Sequence, residues 1–185
     1  MVFSSVTFLV FFLPLTMAAY YLFRPGTAAR NTVLLAASLL FYAWGEPRFV
    51  LVMLLSIGIN WAAGLIVHRS SGERKLRRAI IAAMLTVNLG IIFFWKYAGF
   101  TVTLANRLTG TAFPVPVIAL PIGISFFTLQ GISYVLDIFM KGLAPLRSPA
   151  DVGLYIAFFP QLIAGPIVRY ETIAPQIYDR HEGCR

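Results

Sequence analysis

Residues 158–170 read FFPQLIAGPIVRY, and the stretch is at odds with itself. It is apolar enough to lie in a membrane, yet Pro160, Gly165 and Pro166 oppose one smooth helix. Pro160 lacks the amide that would bond the carbonyl of Ile156, and Pro166 lacks the one that would bond Leu162. Gln161 and Arg169 add polar side chains to the same stretch. Non-helical backbone survives at membrane depth only where it is buried in protein or lines a wet cavity. The stretch is therefore expected to form a broken helix or re-entrant element, bent between Pro160 and Pro166. The plainer reading, a kinked helix packed on its neighbours, stays open beside it.

Composition sets the surroundings. The chain has 185 residues, of which 59% are hydrophobic and 12% charged, and its mean hydropathy is +0.80. Soluble domains carry about 25% charged residues, so this chain cannot cover a water-facing surface. Long apolar runs separated by short basic clusters predict an all-α, polytopic membrane bundle whose C-terminal segment is broken or re-entrant. The formal net charge of +8 falls between the runs and not along one face, which argues against a nucleic-acid partner. Cys184 is the only cysteine. That excludes an internal disulfide, and no metal-binding or redox cysteine motif is present.

The runs define the spans. Phe3–Phe23 is too long for a signal-peptide core and lacks a preceding basic region, so it is read as a first span with Pro14 inside it. A short run follows over Thr32–Gly45, then Phe49–Val67 with Pro47 placed to open it. Ala79–Phe100 makes a fourth run, residues 101–120 are mixed, and a fifth helix is expected over Pro121–Met140. Residues 1–178 form one multi-span domain. Residues 179–185 form a short polar tail, compatible with a truncation end.

Basic residues orient the spans. Arg24 and Arg30 flank the first loop, Arg69, Arg74, Lys75, Arg77 and Arg78 fill the third, and Lys141 and Arg147 lie in the fifth. The intervening loops hold only Arg48 and Arg107. Odd loops are thus expected in the cytoplasm and the N-terminus outside, in a multi-pass protein of the cell inner membrane. Lys96 in FFWKYAGF (93–100) reads as an interfacial anchor beside Trp95 and Tyr97.

One helix carries a polar stripe. In LPIGISFFTLQGISYVLDIF (120–139), Gly123, Phe127, Gln130, Tyr134 and Asp137 fall on one side at helical spacing, with Ser133 beside them. A membrane helix has no use for such a stripe unless it faces protein or water, and small residues along it permit close approach. Gln130 and Asp137, together with Gln161 and Arg169, are the candidate residues of a polar channel. A packing face glued by hydrogen bonds is the alternative.

At these motifs the chain resembles the membrane-bound O-acyltransferase family, and its bacterial alginate O-acetylation branch above all. MVFSSVTFLVFFLPL, LLFYAWGEPRF, FFWKYAGF, LPIGISFFTLQGISYVLDIF and FFPQLIAGPIVRY follow one another in the branch's order. The resemblance implies transfer of an acetyl group from a cytoplasmic donor, acetyl-CoA or similar, with no cofactor bound. The acceptor it implies is a hydroxyl of an exported polysaccharide such as alginate, with periplasmic acetylation proteins as partners. It also implies a catalytic histidine in a buried channel, acting as general base.

The chain departs from that pattern at its histidines. His68 opens a basic loop and His181 sits in the hydrophilic tail, so neither matches the family's motif and no catalytic residue is assigned. The chain therefore looks like the N-terminal portion of such a protein. A non-catalytic truncated scaffold remains an alternative. A transporter or channel is another, although paired breaks in two halves are missing.

Overall fold

The computed structural model describes residues 5–22, 26–165 and 168–178. Every regular element among them is helical. Pro166, His181, Cys184 and the 179–185 tail lie outside the described residues.

Helix α1 (Phe8–Leu22) opens with a π-helical turn over Phe8–Phe12. The Leu13 amide bonds the Phe8 carbonyl five residues back. This widening directly precedes Pro14, whose ring cannot pack against an ordinary α-helical turn. Helix α2 (Thr27–Gly45) begins five residues earlier than its apolar run, since Ala28, Ala29 and Arg30 are good helix formers. A 3₁₀ turn over Pro47–Phe49 leads into α3 (Val50–Arg69). Helix α4 (Arg74–Thr109) continues well past the expected end at Phe100. Nothing in TVTLANRLT breaks it until Gly110, which closes it at φ 70° with its amide on the Asn106 carbonyl.

Helix α5 (Ile124–Lys141) starts after Gly123, another left-handed glycine, and ends at Gly142. The C-terminal segment then forms α6 (Pro149–Ala157), α7 (Phe159–Ala164) and α8 (Tyr170–Tyr178), and the stretch 158–170 holds both interruptions with α7 between them. Among the described residues, two helical stretches are long and apolar enough to cross a membrane, Pro47–Arg69 and Arg74–Thr109.

The centre is the α3–α5 pair, and two reciprocal glycines set its spacing. A Cβ on Gly131 of α5 would stand 2.4 Å from the Asn60 side-chain nitrogen, and one on Gly64 of α3 would stand 2.8 Å from the Tyr134 ring. Each glycine therefore accepts the other helix's large side chain. Asn60 is held in place by a reciprocal amide pair with Asn88 of α4, at 3.1 and 3.2 Å. Asn60 also donates to the Ser56 carbonyl, and Asn88 to the Met84 carbonyl. A buried polar knot of this kind, fully partnered, fixes which faces of three helices meet.

The broken segment folds back on itself. Where it begins, the Arg147 amide donates to the Tyr178 hydroxyl, which donates in turn to Asp151 at 3.2 Å. The start of α6 and the end of α8 thus meet, beside the N-terminal turn of α2, where Asn31 donates to the Ile177 carbonyl. Between them the chain reaches Leu162, which packs against Gly123 at the far end of α5.

Gly131→Ala is expected to lower thermal stability in mild detergent by about 1–3 kcal/mol, because overpacking forces Asn60 out of its knot. Gly58→Ala, whose Cβ would meet nothing within 4 Å, should leave stability unchanged or raise it slightly. Equal melting temperatures for the two variants would show that the α3–α5 contact does not set the spacing.

Candidate functional site

The breaks fall at two places, and the first differs from expectation. Phe158 (φ −54°, ψ 112°) interrupts the helix just before Pro160, which becomes an N-terminal residue of α7. The missing proline amide costs nothing there, because first-turn amides have no partner inside the helix. Gly165 (φ −89°, ψ 154°) makes the second break. Its φ is ordinary, but a Cβ would stand 2.6 Å from the Gln161 Cα, so the residue is small for lack of space.

Both breaks are supported by side chains of other helices. At the first, the Phe159 amide donates to the Ser38 hydroxyl of α2 at 3.2 Å, and that hydroxyl donates to the Leu34 carbonyl. Phe159 itself closes an aromatic cluster with Phe8, Phe12 and Phe41. Past the second, the Val168 carbonyl accepts from Gln130 Nε2 at 3.0 Å and from the Tyr155 hydroxyl at 2.8 Å. One orphan carbonyl thereby ties α5, α6 and the returning chain together.

The stripe on α5 is buried. Phe127 and Tyr134 are fully enclosed and Gln130 nearly so, while Asp137 is 9% exposed. Among the described residues, Asp137 Oδ2 has no hydrogen-bond partner. Its carboxylate lies close enough to Tyr155 to interact electrostatically, with the Ser133 hydroxyl also beside that ring. Tyr134, Tyr155 and Tyr170 pack as a triad with ring centroids 4.9–6.2 Å apart. Their hydroxyls take up backbone groups of the α5–α6 connection and of the returning chain: Tyr134 accepts from the Leu146 amide, and Tyr170 donates to the Ala144 carbonyl.

Gln161 faces elsewhere. It lines a cavity of about 270 Å³ between α2, α6, α7 and α8, with Tyr155, Phe158 and Gln176 and otherwise aliphatic walls. Arg169 is exposed, next to the pinned Val168 and close to Glu171. Glu171 hydrogen-bonds to Lys141 at the end of α5, and that ammonium holds its carboxyl below the usual range.

The four candidate residues thus do not make one cluster: three are divided about Tyr155, and Arg169 stands apart as an exposed side chain. Gln130 and Asp137 lie on its hydroxyl side, and Gln161 lies across its ring in the cavity. Tyr155 is the residue the motif reading missed. Its only signal was a hydroxyl-bearing ring inside the apolar run LYIAFF, where a buried tyrosine needs a partner for its oxygen. His68 is exposed at the end of α3, and no group of three His, Cys, Asp or Glu that could hold a metal occurs among the described residues.

Gln130→Leu and Tyr155→Phe are each expected to cost about 1 kcal/mol or less, since the Val168 carbonyl keeps one donor. The double variant leaves this part-buried carbonyl without either donor, and should lose about 1 kcal/mol or more beyond the sum. Hydrogen exchange of the amides in 168–172 would rise in the double variant far more than in either single one. Simple additivity would remove the shared-carbonyl pin.

The chain is 34% identical over 195 aligned positions to the probable alginate O-acetylase AlgI of Pseudomonas aeruginosa, covering all of this chain and 37% of that protein. It is also 34% identical to the protein of the same name from Azotobacter vinelandii, covering 39% of it. With the peptidoglycan O-acetyltransferase of Helicobacter pylori it shares 30% identity, over 98% of this chain and 39% of that one. The chain therefore spans less than half the length of these curated relatives. No protein-family profile matches the chain, and no solved structure does. From end to end, the chain is homologous to part of the alginate O-acetylases and of a peptidoglycan O-acetyltransferase.

Proposed function

We propose that this chain forms the channel-bearing part of a multi-pass membrane O-acetyltransferase of the bacterial inner membrane. In this reading α1 to α5 are spans, the N-terminus lies outside, and the basic stretch 69–78, which holds the α3–α4 turn and the first turn of α4, lies in the cytoplasm. The segment α6–α7–α8 enters from the cytoplasmic face, breaks at Phe158 and Gly165, and returns to the same face. The acceptor is a hydroxyl of an exported polysaccharide. The donor is an acetyl thioester such as acetyl-CoA on the cytoplasmic side, and periplasmic proteins complete the transfer.

The observation that carries the proposal is the fold-back itself. Both ends of 149–178 meet through Tyr178, Asp151 and Arg147, while the interior of the segment holds breaks whose polar groups are met by Ser38, Gln130 and Tyr155. Broken segments of this kind build substrate sites in membrane proteins, because freed backbone groups and a few side chains supply polarity at depth. Similarity along this chain to part of relatives named as an alginate O-acetylase and a peptidoglycan O-acetyltransferase favours acetyl transfer among the chemistries such a segment could serve. Gln130 and Asp137 are assigned to the channel wall on the hydroxyl side of Tyr155, Gln161 to the cavity across its ring and Arg169 to the exposed mouth, with Asp137 Oδ2 lacking a hydrogen-bond partner among the described residues. The general base is not assigned to any residue here.

Topology gives the first test. Reporter fusions should be cytoplasm-active after Arg74 and externally active near Asn106, and the opposite pattern would sink the orientation. Activity gives the second, with this chain replacing the matching part of an alginate O-acetylase in a strain lacking its own. Asp137→Asn and Arg169→Ala are expected to cut polysaccharide acetylation at least tenfold, against no loss for the outward-facing Leu51→Ala. Full acetylation in both site variants, at equal protein level, would take these residues out of the channel.

A further inference from the structure

The contact between Trp95 of α4 and Phe49, with ring centroids 5.2 Å apart, marks where α3 begins at one end of the bundle. Helix α4 does not stop there. Its 36 residues make roughly 54 Å of helix at about 1.5 Å each. A hydrocarbon core of about 30 Å takes up roughly 39 Å of helix even at a tilt of about 40°. Beyond Trp95 the helix runs on to Thr109, and the chain then returns in extended form beside it. Asn106 locks the return: its side chain donates to the Phe113 carbonyl at 2.8 Å and accepts from the Phe113 amide at 3.0 Å. Lower down, a Cβ on Gly99 would stand 3.3 Å from the Pro116 carbonyl. Helix end and returning chain thus form one finger.

The surface of the finger suits lipid and not water. Phe100, Leu104 and Leu108 repeat every four residues along α4, and Phe113, Val115 and Val117 alternate along the return; all six are exposed, Val117 completely. Contiguous exposed apolar surface of this kind marks an interaction site. The charge pattern names the partner. From Glu73 to Asp137 the sequence has no acidic residue, and past Arg78 its only cations in that interval are Lys96 and Arg107. An apolar finger whose single charge is Arg107, with Trp95, Lys96 and Tyr97 at its root, matches the phosphate and upper acyl region of a bilayer.

We propose that the finger, residues 97–120, lies in the outer-leaflet interface as a membrane-embedding element and is not a solvent-exposed loop. The proposal rests on the membrane topology given above. The test uses the full chain with Cys184→Ser, reconstituted in nanodiscs of phosphatidylethanolamine and phosphatidylglycerol. An environment-sensitive fluorophore is placed at Leu104→Cys, Leu108→Cys or Val117→Cys, with Leu55→Cys on exposed α3 as the reference for a span. Shallow nitroxide lipids should remove most of the emission at 104, 108 and 117, while aqueous iodide should have little effect. Deep nitroxide lipids should quench the Leu55 site. Lipid quenching at 55 combined with iodide quenching at 104, 108 and 117 would overturn the finger alone. Protection of the finger from both quenchers would overturn it too, by showing a protein cover. No lipid quenching at 55 would overturn the membrane reading and the finger with it.

Discussion

The Val168 carbonyl is the point on which the C-terminal third depends. A carbonyl removed from water without a donor costs up to about 1–3 kcal/mol when fully buried, and the Val168 carbonyl is part-buried. A chain that breaks its helix twice within seven residues frees several such groups. The protein supplies donors from separate helices, Gln130 from α5 and Tyr155 from α6, so a local break becomes a tertiary joint. Ser38 plays the matching part at Phe159. Without those side chains the interruptions at Phe158 and Gly165 would be costly defects. With them the segment has one defined path out and back.

That joint requires α5 to be held at a fixed depth and rotation, and the α3–α4–α5 contact does this. Gly131 admits Asn60, Gly64 admits Tyr134, and the Asn60–Asn88 pair adds a reciprocal hydrogen bond across to α4. In a membrane the apolar effect does not drive helices together, so close packing at small residues and buried hydrogen bonds carry the association. The same helix then presents Gln130 and Asp137 toward Tyr155 of α6, while Tyr134 spans from Gly64 of α3 to the Tyr155 and Tyr170 rings. Packing on one face of α5 sets the geometry of the polar groups on the other.

The polar interior divides by chemistry. Each tyrosine of the triad has a backbone partner for its hydroxyl. Gln161 and Gln176 border a mostly aliphatic cavity. Among the described residues, Asp137 combines burial, a carboxyl group and an oxygen, Oδ2, that no described group satisfies. Such a carboxylate is expensive inside a bundle and is retained where it serves a substrate path, which is why the proposed function gives it the central place.

Much of this was legible in the residues themselves. Hydropathy and basic clusters marked the helices, glycines and prolines marked their ends, and the 3.6-residue period exposed the stripe on α5, since each is a property of neighbours along the chain. Pro160 and Gly165 announced a break for the same reason. The position of the first break was not legible. Proline is harmless in a helix's first turn, so the chain turned at Phe158 and began a new helix around it. Nor was the partition of Gln130, Asp137 and Gln161 about Tyr155, or the pin at Val168. Those depend on which side chains from distant segments reach one carbonyl. The sequence by itself determined that polar groups and breaks had to be buried together; only the tertiary structure decided which group satisfies which, because hydrogen bonds across helices depend on the packing distances and rotations set by Gly64, Gly131 and Asn60.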